Sequence, residues 1–225
     1  MFRLFDIILS GVALVILSPL LVPLSVILRL TGEGEVFYRQ LRVGFRGERF
    51  NIYKFATMLR DSPNIGAGTL TMINDPRVLP VGAFLRKTKI NELPQLLNIF
   101  IGDMSFVGPR PLVPEGEKNY TQDQARIIRS VRPGVTGIGS LILRDEESYY
   151  AHRADAREFY IHVISPYKAS LEIWYINHSS VTLNMLILVS TALAVIVPSW
   201  NVARFFNSLP AMPNAMADSR YTQDQ

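Results

Sequence analysis

The chain has 225 residues, enough for one sizeable domain or two small ones. It contains no cysteine, which excludes a disulfide framework and a thiolate zinc site and suits a cytosol-facing domain. A hydrophobic content of 48% and a net charge of +4 favour an apolar surrounding and anionic partners such as lipid headgroups, nucleotides or nucleic acid. The apolar excess is concentrated at the two ends, and no internal repeat is visible.

Residues 7–28 carry no charge and as a straight helix would span about 33 Å, enough to cross a hydrocarbon core. No small-residue cleavage site follows, so the run is a poor secretory signal. Pro19 takes the helical partner from the Val15 carbonyl, and Pro23 does the same to Pro19. The Ser18 hydroxyl is expected to turn back onto the Leu14 carbonyl. Basic residues flank both ends, with Arg3 before the run and Arg29, Arg39 and Arg42 after it, so the positive-inside rule separates no sides. A bent hairpin returning to the cytoplasmic face and a kinked crossing helix both satisfy these facts.

From Gly32 the composition becomes that of a water-facing domain. Val36–Gln40 and Phe50–Phe55 have strand character around a turn at Gly44–Glu48, which predicts a short β-hairpin. Asp61–Met72 is rich in Gly, Ser, Pro and Asn and reads as a mobile loop. Asp75-Pro76-Arg77 begins a new ordered segment, and Val81–Arg86 reads as a short helix.

The stretch Arg86–Pro111, RKTKINELPQLLNIFIGDMSFVGPRP, organises the rest. Asn91 reads as an N-cap, Pro94 falls in the first turn, and Gly102 closes the far end. Leu93, Leu96, Leu97 and Phe100 recur at helical spacing and predict a buried stripe on a helix of about ten residues starting at Glu92. The prolines around Arg110 make a stiff extended turn. A helix start bearing a carboxylate, beside Arg86, Lys87 and Lys89, suits a phosphate or diphosphate; a capped amphipathic helix with a solvated basic flank is the structural alternative.

Downstream, Glu115–Val131 reads as a surface helix that stops at Arg132-Pro133-Gly134, and Val135–Gly139 as a glycine-rich turn. Tyr149–Ile164 reads as an exposed helix interrupted by Pro166. Trp174 and Tyr175 form an aromatic pair suited to a membrane interface. Leu183–Val197 is apolar but short for a crossing and fits an interfacial or buried helix. The tail after Trp200 reads as disordered. His152, His162 and His178 are scattered and read as surface residues, and Asp145–Glu147 as a solvated acidic patch.

Together, the Ser18-Pro19 hairpin, VFYRQLRVGFRGERFNIYKFATM, NDPRV, LRKTKINELPQLLNIFIGDMSFVGPRPL, RPGVTG and LEIWY resemble the small bacterial monotopic phosphoglycosyl transferases. These are also called initiating polyprenyl-phosphate sugar-1-phosphate transferases, and the resemblance covers residues 2–190. It implies an α+β, mostly helical fold with an N-terminal re-entrant membrane helix-hairpin broken at Ser18-Pro19, a small β-hairpin, and amphipathic interface helices around a compact catalytic domain. The expected division is a membrane helix over 1–31, a catalytic domain over 32–200 and a disordered tail over 201–225.

The resemblance also implies transfer of a phosphosugar from a UDP-sugar to undecaprenyl phosphate, with Mg²⁺ and release of UMP, as the first membrane step of exopolysaccharide or glycoconjugate synthesis. The expected location is the bacterial inner membrane with the catalytic domain on the cytoplasmic face. The bilayer is a partner, downstream glycosyltransferases are candidate partners, and the oligomeric state stays open, a dimer included. Carried across by position, Glu92 is the metal-holding carboxylate, with Lys54 and Arg110 catalytic and Arg86, Lys87, Arg132 and Glu172 on the substrate. Two positions depart from the pattern. Asn91 stands where the family has its nucleophilic Asp, and an amide has no anionic oxygen with which to attack phosphorus; Ala56 replaces an Arg. Either Glu92 attacks, or transfer is direct, or the chain is a silent membrane scaffold of the same fold. A nucleic-acid binder is disfavoured because acids interleave the basic residues and no reader motif is present.

Overall fold

The computed structural model describes residues 2–65, 75–150, 153–197, 202–206 and 208–216. The architecture is α+β and mostly helical, with two small two-stranded sheets. The chain divides into two units, Met1–Leu41 with Asn51–Gly102, and Arg42–Phe50 with Asp103–Gln225.

The first unit begins with helix α1, Phe2–Leu30, which runs unbroken through Pro19 and Pro23, so the expected hairpin is a single helix. Side-chain hydroxyls explain how it tolerates the prolines. Ser18 donates at 2.8 Å to the Val15 carbonyl, the one that Pro19 leaves without a partner, and not to Leu14 as expected. Ser10 and Ser25 bond back to Asp6 and Leu21 in the same way. One side of α1 is apolar and exposed, including Leu4, Ile8, Val12, Val15, Ile16, Val22 and Val26. The helix is long and apolar enough to cross a membrane by length and composition. Its other side is held by the unit. Gly11 lies against the Phe100 ring, and Leu28 is buried with Phe55 and Leu85.

The predicted hairpin is present as β1, Phe37–Val43, and β2, Arg49–Phe55, with Phe37 stacked on Phe55. Arg77 and Asp75 are buried together and joined by two side-chain hydrogen bonds, while the same guanidinium reaches the carbonyls of Ser62 and Ile65. This ties down the ordered segment expected there; residues 66–74, most of the expected mobile loop, lie outside the described residues. Helix α2, Pro80–Lys87, matches the predicted short helix and starts on a proline, where the missing N–H costs nothing. Helix α3, Gln95–Ile101, ends at Gly102 as predicted.

In the second unit β3, Ser105–Val107, pairs in parallel with β4, Gly134–Thr136, where the sequence suggested only a turn. The surface helix expected over Glu115–Val131 is two helices, α4 at Pro114–Glu117 and α5 at Gln122–Ile128. Thr121 restarts the helix with a reciprocal capping box to Gln124, which is why the segment breaks there. After α6, Ile138–Ile142, the chain makes α7, Ala156–Phe159, and widens into a π turn at Tyr160–Ile164. It then continues as α8, Ser165–His178. The wide turn precedes Pro166, whose ring cannot donate to the previous turn, so the helix passes the proline instead of stopping.

This region is not the exposed helix predicted, because Tyr149, Phe159 and Ile164 are buried. Tyr175 is also core rather than interface, its hydroxyl donating at 2.8 Å to Asn184 Oδ1. Trp174 is half-buried and stacks on His178, while His162 is exposed and His152 lies outside the described residues. Glu146 departs from the expected solvated patch, with an ion pair at 2.7 Å to buried Lys168. Helix α9, Val181–Ile196, is apolar and partly exposed, with Arg144 donating to the Ala194 carbonyl near its C-terminus.

The tail is not wholly disordered. Val202–Phe205 forms a helical turn, and Phe206 and Met216 are buried in the core of the second unit. Met216→Ala is expected to destabilise by about 2–5 kcal/mol through the cavity it leaves. Chemical denaturation read by fluorescence checks this; an unchanged midpoint would return the tail to the solvent.

Candidate active site

The candidate residues of the first unit converge on the turn that precedes α3. Ile90–Glu92 forms a single 3₁₀ turn, entered through Lys89 in the left-handed conformation at φ 60°. Asn91 is therefore inside the turn and not an N-cap, and its side chain makes no cap bond. It is 9% exposed, and its Oδ1 finds no hydrogen-bond partner among the described residues. Glu92 Oε1 lies 3.0 Å from Lys54 Nζ, an ion pair between β2 and the turn with both side chains largely covered. Arg86 and Lys87 occupy the last turn of α2, where cations are favoured; Arg86 is half-buried and Lys87 exposed.

What fixes Lys54 opposite Glu92 is a residue the sequence reading passed over. Asn98 is completely buried on α3. Its Oδ1 accepts from the Tyr53 N–H at 2.9 Å, and its Nδ2 donates to the Asn51 carbonyl at 2.8 Å. Both partners are on β2, on either side of residue 52, so a single amide sets the register between helix and strand. The signal was present, since Asn98 is a lone amide inside LLNIFI, and a buried polar group needs partners. The predicted apolar stripe is displaced accordingly. The buried face of α3 is Gln95, Leu96, Asn98 and Ile99, while Leu97, Phe100 and Ile101 are exposed.

In the second unit the turn Gly108–Pro111 is held on both sides of Arg110. Gly108 N–H donates to the Thr136 carbonyl and Gly134 N–H to the Pro109 carbonyl, each at 2.9 Å. The Arg42 guanidinium donates at 2.8 Å to the Pro111 carbonyl. The stiff loop expected around Arg110 is thus anchored to β4 and to the hairpin tip. Glu172 lies beneath it, 2% exposed, with Oε1 accepting from the Arg110 N–H at 3.4 Å. Its Oε2 has no hydrogen-bond partner among the described residues, and a Cβ on Gly139 would overlap the carboxylate. Such burial leaves Glu172 supporting the turn from inside rather than presenting a surface to substrate. Arg132 is placed across the Phe45 ring at 5.3 Å, a cation–π contact at the hairpin tip.

Burial pushes the Glu172 pKa up from 4.5 to about 7, against the Arg110 backbone N–H and the charges of Lys168 and Arg110, which pull it down. A carboxyl that holds its proton more tightly in the folded state stabilises the protein at low pH. That contribution is lost as pH rises from 4.5 to about 7. Glu172→Gln is expected to flatten the fall in stability across this window, as measured by thermal unfolding at a series of pH values. A slope identical to that of the parent would remove Glu172 as its source.

Comparison with known proteins follows the same geometry. Residues 1–198 match the family model described as bacterial sugar transferase. The exopolysaccharide production protein ExoY of Rhizobium meliloti is 38% identical over 161 residues, 65% of this chain and 71% of that protein. The undecaprenyl-phosphate galactose phosphotransferase of Salmonella typhimurium is 33% identical over 208 residues, 86% of this chain and 40% of that protein. The UDP-glucose:undecaprenyl-phosphate glucose-1-phosphate transferase of Escherichia coli is 38% identical over 134 residues, 59% of this chain and 29% of that longer protein. With nearly its whole length matched by the family model, this chain belongs to the bacterial sugar transferases and is an enzyme of that family.

Proposed function

We propose that the protein transfers a sugar phosphate from a UDP-sugar to undecaprenyl phosphate and releases UMP, as the first membrane step of exopolysaccharide or glycoconjugate synthesis. Family membership and the activities named for its relatives support this reading. The structural observation that carries it is the Lys54–Glu92 pair on the turn beside Asn91. A carboxylate and an ammonium held together are the groups needed to attack a phosphorus and to steady the phosphate oxygens around it.

Glu92 is the only carboxylate of the Asn91–Glu92 pair, so the attack falls to it. A Glu92 oxygen bonds to the β-phosphorus as the bond to the α-phosphate oxygen breaks, and UMP leaves with the electron pair. An oxygen of the polyprenyl phosphate then displaces the carboxylate, which is regenerated. The Glu92 carboxylate, still partly exposed beside Lys54, is an oxygen donor of the kind Mg²⁺ takes and would be the residue that holds it. When bound, it neutralises charge on the diphosphate. Glu92 would then hold metal and attack in turn.

The amide at Asn91 favours one competing reading, a catalytically silent scaffold of the same fold. Release of UMP from a panel of UDP-sugars with undecaprenyl phosphate separates the two. An active parent should give a phosphosugar adduct at Glu92 by mass spectrometry, lost in Glu92→Gln. An inactive parent revived by Asn91→Asp, with the adduct at residue 91, would mark the natural chain as impaired. Turnover with no adduct at either position would instead require direct transfer.

The same reading places the protein in the bacterial inner membrane with its catalytic face toward the cytoplasm. Both ends of α1 rest on the first unit, Arg3 against Phe100 and Leu28 against Phe55 and Leu85. This supports a helix that dips into lipid without delivering its N-terminus to the far side. A cysteine introduced at residue 2 should be labelled from the cytoplasmic side only; labelling solely from the periplasm would establish a crossing helix.

A further inference from the structure

Arg3, in the N-terminal turn of α1, reaches α3 through its guanidinium. Its Nη1 donates to the Ile99 carbonyl and its Nη2 to the Phe100 carbonyl, the latter at 2.7 Å. These are among the last carbonyls of α3, which have no helical N–H to accept from. Gly102 closes that helix at φ 117°, and a Cβ added there would sit 3.1 Å from Arg3 Nη2. Glycine at residue 102 suits the left-handed backbone there and leaves the guanidinium in close contact with the helix end. About two turns further along α1, Gly11 lets the Phe100 ring approach to within 3.3 Å of where its own Cβ would be.

The other end of this segment is the candidate catalytic turn. Leu96 N–H bonds to Leu93, Leu97 to Pro94 and Leu93 to Ile90, so the chain from Ile90 to Gly102 is hydrogen-bonded without a break. Asn98 fixes its middle to β2. A tilt imposed at residue 100 is therefore carried to Glu92 and changes how Glu92 meets Lys54.

We propose that Arg3 is a positioning residue: by bridging the last carbonyls of α3 it staples the membrane-seeking helix α1 to the segment whose far end presents Asn91 and Glu92. The seating of α1 in lipid then sets the attitude of the catalytic turn. The guanidinium fork matters, because a lysine supplies one donating point where two carbonyls must be bridged. The consequence for turnover rests on the sugar-phosphate transfer reading; the staple itself does not.

The test uses the full chain in phospholipid vesicles, comparing the parent with Arg3→Ala, Arg3→Lys and Gly102→Ala. Hydrogen exchange of the Gly102 amide reports the staple, and exchange of the Glu92 and Leu93 amides reports the turn, with no need for activity. The expected result for Arg3→Ala is faster exchange at both places, with UMP release showing kcat down about tenfold and KM for the UDP-sugar little changed. Arg3→Lys should recover only part. Gly102→Ala, which also strains the backbone at φ 117°, should speed exchange at Gly102 at least as much as Arg3→Ala. Faster exchange at Gly102 with none at Glu92 would overturn the proposal, as would an Arg3→Ala enzyme with parental kcat. If Arg3→Ala fails to fold, Arg3→Lys carries the same readouts. A parent that releases no UMP would defeat the transfer reading, while exchange would still decide the staple.

Discussion

The first unit depends on one amide. Asn98 is buried in the middle of a helix whose remaining residues after Gln95 are apolar, and it satisfies both a donor and an acceptor on β2. A buried amide is stabilising only with both ends matched, and the penalty for a mismatch makes the register between α3 and β2 nearly all-or-none. A slip of one residue along β2 would turn Lys54 to the opposite face of the strand and separate it from Glu92. The ion pair at the candidate active site is thus a consequence of a hydrogen-bond constraint about two helical turns away.

The outward faces of the same unit are explained by the same arrangement. Because Gln95, Leu96, Asn98 and Ile99 are turned inward, Leu97, Phe100 and Ile101 must be turned outward, on the helix that α1 packs against. Phe84 on α2 and the open side of α1 add further exposed apolar surface. Exposed apolar side chains on this scale are characteristic of a surface that meets lipid or another protein.

Much of this was legible in the chain, and the failures have physical causes. The β-hairpin, α2, the end of α3 at Gly102 and the apolar α9 follow from alternation, turn residues and helical periodicity. The buried face of α3 was misassigned because periodicity assumes that apolar means inward, whereas here Leu97 and Phe100 point outward and the amides of Gln95 and Asn98 point inward with Leu96. The pair β3–β4 was invisible because three residues carry no readable alternation and their partner lies far along the chain. The pairing of Lys54 with Glu92, 38 residues apart, is a tertiary fact; the resemblance put both residues in the site without pairing them. Glu172 was found by resemblance too, but its burial beneath the Arg110 turn could come only from packing.

The buried tail has a consequence for how the protein is made. The core of the second unit includes Phe206 and Met216, so it cannot be complete until synthesis has passed Met216. Helix α1, by contrast, leaves the ribosome before every other element described. At 5–20 residues per second, roughly 10–40 s separate the synthesis of Leu30 from that of Met216. During that interval α1 can find a bilayer while the second unit still lacks its last core side chains, and membrane capture thus precedes the final closing of the fold.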